Sequence, residues 1–469
     1  MKKLLGMALV LALAAPACAD EILKNLKFGG QLDFQANSAR NVLDGSTKGG
    51  NDRIGTALPR ILLNAEWDLL DDIHARASFV KNDSAWGSNP GGGPLQNAAA
   101  GAGELLQQAN IKVDKLAGQM DAVLGRQFYG DSGDLIVFFG PKNTYGLYVT
   151  AIDALRADWA NELLSVSALA GKISGSSLKA HNTATGAVLT NDRDLRGIDV
   201  GILGLPLKTN LFVWNQVTHS TGPLGMDTGK NDYLWVYGIK LRGETESLWV
   251  DATLASNAGE CRVNCNNGKG QIDASNYSGK AFLLDAGGKI DLANLTALMP
   301  WVNFGIGSGR GMSNGKKNEG FQSIASDYRP GIINGRFNGS GALSLGNGMA
   351  ATVGLNNRVV YGLGLKAVPA ATEKLELGLS LWDFRFQKAT DGDATFVGGD
   401  GFKHNNKHIG SEIGLTADWN HSETVRYGVG YARFNPGGYL KENINQDGGA
   451  GGNGDNPVML VFADLSLKF

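Results

Sequence analysis

From His408 to Phe469 the chain changes chemistry at every second residue, and no other feature limits its fold so strongly. Ile413, Leu415, Ala417 and Trp419 fall on one face, with Glu412, Gly414, Thr416 and Asp418 on the other. Asn420-His421-Ser422-Glu423 breaks the pattern as a short polar turn. Val425, Tyr427, Val429 and Tyr431 then alternate with Arg426, Gly428, Gly430 and Ala432. A Gly/Asn/Asp loop, Asn435 to Pro457, leads to Met459, Val461, Ala463, Leu465, Leu467 and Phe469 in step. Period two with one apolar face describes strands that are wet on one side and greasy on the other. An aromatic residue closing the apolar face suits a strand that ends at a membrane interface. The expectation is an all-β fold, a transmembrane antiparallel β-barrel.

The rest of the chain keeps the rhythm. Leu26, Phe28, Gly30, Leu32, Phe34 and Ala36 oppose Lys27, Gln31, Asp33 and Gln35. After a polar loop, Ser38 to Thr56, Ile61, Leu63, Ala65 and Trp67 oppose Arg60, Asn64, Glu66 and Asp68. Asp71-Asp72 turns the chain and Ala75, Ala77 and Phe79 lead back toward the Gly/Asn/Pro-rich loop Ser84 to Gly103. Strand pairs follow near 104–115 and 121–130, 147–159 and 163–173, 195–203 and 209–218. Three more lie near 233–242 and 248–256, 280–290 and 295–305, and Val359–Ala367 with Leu375–Leu381. The count is about eighteen, within roughly sixteen to twenty, with short periplasmic turns and long extracellular loops. Gly335 to Asn356 is either one more pair or structured loop. Phe28, Trp67, Trp159, Trp419, Tyr427 and Phe469 fall at the turn end, and Phe34, Phe79, Tyr233, Trp235 and Tyr431 toward the loop end. Two such girdles mark the two membrane interfaces.

Lys2-Lys3, the apolar run Leu4 to Ala15 and Ala17-Cys18-Ala19 before Asp20 read as a signal peptide. Residues 1–19 are expected to be removed, leaving 20–469 as one outer-membrane barrel. Cys18 raises a lipoprotein alternative, but Ala-Pro-Ala before it lacks the Leu-like residue that such a site carries. Losing Lys2 and Lys3 and no acid takes the formal charge from −2 to −4. That balance argues against a nucleic-acid partner. No later stretch approaches the roughly eighteen apolar residues of a membrane helix. Sixty-seven glycines and many short alternating segments fit one large barrel, wide enough to hold water. Cys261 and Cys265 suggest a disulfide at a loop tip; a metal pair is the weaker reading, since no further ligand stands nearby.

Because only the lumen side meets water, the polar faces line the lumen. Parity assigns Arg60, Arg76, Arg126, Arg156, Lys112, Lys240, Arg242, Arg358, Lys366 and Arg426 to it as candidate solute contacts. Asp33, Glu66, Asp68, Asp114, Asp158, Asp199, Glu376, Glu412 and Asp418 share that face. Such a wall is either a set of ion pairs worth little each, or an arginine ring that selects anions at a constriction. Asp131 to Asn143 interrupts the alternation with a compact apolar run, as a constriction loop or as a cap on the loop face. Chemistry-bearing constellations are poor. His404 and His408 sit in a loop without a third ligand, and no Gly-x-Ser-x-Gly elbow occurs. Asn445 to Asn456 lacks the spaced acids and late Glu of a calcium loop. No enzyme, metal or cofactor is expected.

Gly410-Ser-Glu-Ile-Gly-Leu-Thr-Ala-Asp-Trp419 with Arg426-Tyr-Gly-Val-Gly-Tyr-Ala-Arg-Phe-Asn-Pro-Gly-Gly-Tyr-Leu440 resembles the C-terminal part of alginate-export porins. Leu124-Gly-Arg-Gln-Phe-Tyr-Gly-Asp131 is similar to that family's Gly-Arg-Gln strand, and Arg358 to Arg385 to its strand–turn–strand. The resemblance implies a monomeric outer-membrane channel of about eighteen strands with an arginine-rich lumen that passes an anionic polysaccharide. It carries Arg126 and Glu412 by motif; the other lumen charges rest on parity. The lumen here mixes acids with bases. The expected function is a passive channel for hydrophilic, anionic solutes such as alginate-like saccharides. The alternative is a structural or adhesive barrel with a plugged lumen. Outer-membrane lipid, the solute and, as a candidate, a periplasmic export partner complete the picture.

Overall fold

The computed structural model describes residues 25–42, 53–82, 106–174, 180–182, 187–189, 193–219, 231–262, 275–292, 295–309, 317–337, 354–388, 406–441 and 456–469. The alternating segments form eighteen antiparallel strands closed into one barrel. They are Leu26–Arg40 (β1), Arg53–Leu70 (β2), Ile73–Asn82 (β3), Leu106–Leu116 (β4), Met120–Gln127 (β5) and Ile152–Ala160 (β6). Leu164–Ser174 (β7), Arg193–Ile202 (β8), Lys208–Thr218 (β9), Asp232–Glu244 (β10), Leu248–Cys261 (β11) and Lys280–Gly288 (β12) follow. Leu295–Gly307 (β13), Arg358–Pro369 (β14), Leu375–Phe386 (β15), His408–Asn420 (β16), Val425–Pro436 (β17) and Val458–Lys468 (β18) complete the wall. β18 pairs back on β1 from Gln31↔Lys468 to Arg40↔Met459, which leaves the sheet without an edge.

β13 and β14 pair directly, Gly307 against Arg358, so the stretch Gly335 to Asn356 adds no stave. Part of it is instead a short helix, Ile333–Phe337 (α1). Gln127 and Ile152 bound β5 and β6, so the chain leaves the wall earlier and rejoins it later than alternation suggests. Those freed residues turn inward.

The outer surface is that of a membrane-spanning barrel. Leu124, Leu155, Leu254, Leu363, Val429 and Val461 are each at least 50% exposed. A contiguous apolar surface of this kind marks lipid contact rather than water. Trp419 faces Tyr427 across β16–β17 at the turn end, while Tyr233, Trp235 and Tyr431 stand toward the loop end. The inner face is polar on the same strands: Asp33, Gln35 and Asn37 of β1 are buried within the barrel. Alternation alone produces this sorting, because successive side chains of a strand point to opposite faces.

Candidate functional site

Two segments fill the middle of the lumen. The first, 128–151, leaves β5 and doubles on itself through bridges Tyr129↔Phe139 and Pro141↔Val149. Its apolar run, Leu135 to Phe139, is buried, and contacts with the inward-facing Arg60 of β2 and Lys240 of β10 place the segment inside the barrel rather than as a cap on the loop face. The second, 317–337, was not visible in the alternation, although Phe321, Ile324, Tyr328, Ile333 and Phe337 form a compact apolar set in it. Val137 bridges Ala325, with Phe138 N–H donating to Ala325 O at 2.8 Å and Ala325 N–H to Ile136 O at 2.9 Å. Asp327 binds the two together: its carboxylate accepts from Gly133 N–H at 2.9 Å and Ser132 Oγ at 3.1 Å.

Wall residues hold this insert. Arg60, 1% exposed, pairs with Asp33 at 2.6 Å and donates to Lys142 O at 2.9 Å and Leu147 O at 3.3 Å. Lys240 reaches Asp134, whose other oxygen caps the Ile136 amide at 2.6 Å. Arg336 leaves the insert to meet Asp464 of β18 at 2.5 Å and lies over the Phe462 ring. Glu412 is buried and accepts from the amides of Ile332, Ile333 and Asn334. Gly331, at φ +78°, lets the chain pass under it; a Cβ there would stand 3.1 Å from both carboxylate oxygens. Burial between the two segments pulls the Lys142 amine below the ordinary lysine value.

Between the insert and the wall from β10 to β18 lies a cavity of about 550 Å³. Arg242, Arg329 and Arg426 line it with Asp251, Asp327 and Asp418, and Trp382 adds an aromatic surface. Arg242 meets Asp251 at 2.8 Å, Arg329 meets Asp327 at 3.2 Å, and Arg426 meets Asp418 at 3.0 Å. Asp285 lines the same cavity. A second recess of about 430 Å³, along β2 to β6, holds Arg76, Lys112 and Arg156. There Arg76 meets Glu66 at 2.5 Å, and Arg156 meets Asp158 at 2.6 Å. His74, which the alternation did not single out, bridges Asp68 at 2.7 Å and Asp114 at 2.9 Å.

The site residues expected from sequence therefore separate into groups. Lys240, Arg242 and Arg426 converge on the constriction, while Arg76 and Arg156 face the other recess and Lys366 pairs with Glu376 at 2.8 Å. Arg60 and Glu412 lie on the inner face but are spent on fixing the insert. Arg358 is buried under the Phe386 ring, with its centre 4.2 Å from the guanidinium carbon. Arg126 is a correction. It shares a face with the exposed Leu124 and pairs with Asp153 at 3.3 Å, on the face of the exposed Leu155, so it lies outside the barrel. β5 is apolar on both faces through Ala122-Val123-Leu124-Gly125, which hides its parity. Cys261 is disulfide-bonded; Cys265 lies outside the described residues, as do His404 and nearly all of Asn445–Asn456.

No protein-family model and no curated protein sequence matches the chain. Solved structures do. OpdO of Pseudomonas aeruginosa superposes with a TM-score of 0.54 at 9% identity, over 96% of this chain and 98% of that one. The fold is that of bacterial β-barrel porins. OccK9 (OpdG) of the same organism gives 0.54 at 9% identity over 96% and 100%. OpdK, crystallised with vanillate, gives 0.52 at 8% over 94% and 98%. The porin fold was expected; these neighbours give no support to the alginate-export family in particular.

Proposed function

We propose that the protein is an outer-membrane channel for passive passage of small hydrophilic solutes, with a preference for anionic ones such as uronates. The carrying observation is the exposure of Arg242 and Arg426 at the constriction, 52% and 58% by side chain. Arg426 is fixed by Asp418, and Arg242 by Asp251 and, at 3.4 Å, by Asp131; a guanidinium offers five N–H donors, so both keep donors for a solute. Trp382 beside them suits the apolar face of a sugar ring. A cavity of about 550 Å³ admits small solutes as it stands. An alginate chain, the solute that the resemblance implies, requires the insert to move, and a periplasmic export partner belongs to that polymer reading alone. In the proposed reading residues 1–19 are a leader lost on export and 20–469 form the barrel, set in outer-membrane lipid.

The interlocked insert supports a second reading, a plugged barrel that works through its loops. Single-channel conductance in a planar bilayer under a salt gradient separates the two. Galacturonate, vanillate, a neutral disaccharide and alginate are then added in turn. An anion-preferring current, blocked better by galacturonate than by the disaccharide and shifted toward cations in Arg242→Ala/Arg426→Ala, supports the proposal. A selectivity indifferent to both arginines removes the anionic preference. A folded barrel without current leaves the plugged reading.

A further inference from the structure

On the outer face, at the loop end, one register row crosses four strands and carries three cations. Arg433 of β17 stands opposite Met459 of β18, Met459 opposite Arg40 of β1, and Arg40 opposite Arg53 of β2. All three arginines are exposed, and alternation puts them on the side of Tyr431, Val461, Ser38 and Gly55. Like charges directly opposite across two strands destabilise the pair, so Arg40 against Arg53 calls for an anion. Among the described residues no carboxylate pairs with any of the three; Arg433 meets the Asn435 side chain at 3.0 Å. Four other cations on the outer face have acids, Arg126 with Asp153, Lys172 with Asp194, Arg262 with Glu260 and Arg385 with Asp383, while the isolated Arg196 meets the Asn215 side chain at 3.1 Å.

Below this row, toward the middle of the membrane, an apolar groove of about 640 Å³ opens across β16, β17, β18 and β1. Leu415, Val429, Tyr431 and Val461 wall it, and the small pair Ala36 and Ala463, opposite each other, forms the floor of a shallow open channel. The groove begins at Ser38, two residues and about 7 Å along the strand from Arg40. Cations at the interface above an apolar channel within the lipid belt match one kind of molecule in both parts.

We propose that this face binds a lipid with a phosphorylated headgroup, its phosphate on Arg40, Arg53 and Arg433 and an acyl chain in the groove. Guanidinium groups hold phosphate by charge-assisted, often bidentate hydrogen bonds. A second copy is a poor occupant, because an isologous contact here brings the arginine row against itself. The inference rests on the membrane-spanning reading of the barrel and is independent of the solute inside.

The test is native mass spectrometry of the full chain purified in detergent. Three probes are offered at equal concentration: phosphatidic acid, diacylglycerol with the same chains, and glycerol 3-phosphate. Phosphatidic acid is expected to stay bound and the other two to be lost. Arg40→Ala/Arg53→Ala/Arg433→Ala is expected to weaken retention about a hundredfold, the scale of three interfacial cations on an anionic headgroup. Ala36→Leu/Ala463→Leu fills the groove, keeps the arginines and is also expected to weaken it. Arg385→Ala removes a cation already paired with Asp383 and leaves retention unchanged. Heat-dependent gel mobility confirms that each variant is a folded barrel. Phosphatidic acid retained equally by the triple variant, or diacylglycerol or glycerol 3-phosphate bound as tightly, overturns the proposal. A two-chain mass that becomes one chain on filling the groove overturns it too, and assigns the face to a second copy.

Discussion

Arg60→Met tests whether the insert is fixed from the wall. Arg60 is fully enclosed and gives Nε and Nη2 to Asp33, at 2.9 and 2.6 Å, and Nη1 to the carbonyls of Lys142 and Leu147. Nη2 also reaches Asn143 Oδ1 at 3.3 Å. Methionine keeps much of the volume but strands the Asp33 carboxylate, which retains Gln31 Nε2 at 2.8 Å. Removing one member of a buried pair costs about 3–5 kcal/mol. The β1–β2 ladder runs from Leu26↔Trp67 to Arg40↔Arg53 without help from this side chain, so the cost falls on the attachment of 142–147. At about 1.4 kcal/mol per decade, the detached population rises about a hundredfold to a few thousandfold. Hydrogen exchange of the 142–147 amides, read by mass spectrometry, is expected to quicken by that factor, and open-channel current to become noisier. Arg60→Met/Asp33→Leu removes the stranded charge and is expected to recover part of the protection. Unchanged exchange in the single variant, or a double variant no better than the single, refutes the reasoning.

Two further outcomes are expected. Gly125 sits at φ +121° with Ala109 O only 2.3 Å from where a Cβ would be, so Gly125→Val must push β4 from β5. The strain exceeds about 1–3 kcal/mol, and the fraction migrating as folded barrel on gels should fall; a normal yield and melting temperature argues against it. At the loop end, the hydrogen bond from Lys388 Nζ holds the Glu319 carboxyl below the usual carboxylate range. With the folded value below the unfolded one, this contact stabilises above the ordinary glutamate pKa and is lost as pH falls through the depressed one. Both groups are partly exposed, so the effect is under about 1 kcal/mol. Amide exchange at Gly320, beside Glu319, should quicken on acidification beyond its intrinsic rate in the unaltered protein and not in Glu319→Gln; equal profiles contradict it.

The eighteen strands were legible because a barrel wall obeys a local rule. Each residue meets either lipid or lumen, and Ile413 to Trp419 declares its two faces without reference to any other strand. The same rule fails where both faces are apolar: alternation puts Arg126 inside, and the wall carries it outside. It said nothing of heights around the cylinder. Whether Arg433, Arg40 and Arg53 share a row depends on the stagger between strands from opposite ends of the chain, and only closure of β18 on β1 decides that. The insert was half visible: the apolar run Leu135 to Phe139 announced an interior segment, but its partner 317–337 lies far along the chain and follows no period. Asp327 and Asp134, read one by one, are loop acids. They become the clasp of a constriction only when Ser132, Gly133 and Lys240 are brought around them. Period two determined which residues meet lipid; the tertiary fold decided which charges meet each other, because those distances are set by register and by inward-turned loops rather than by neighbours in the chain.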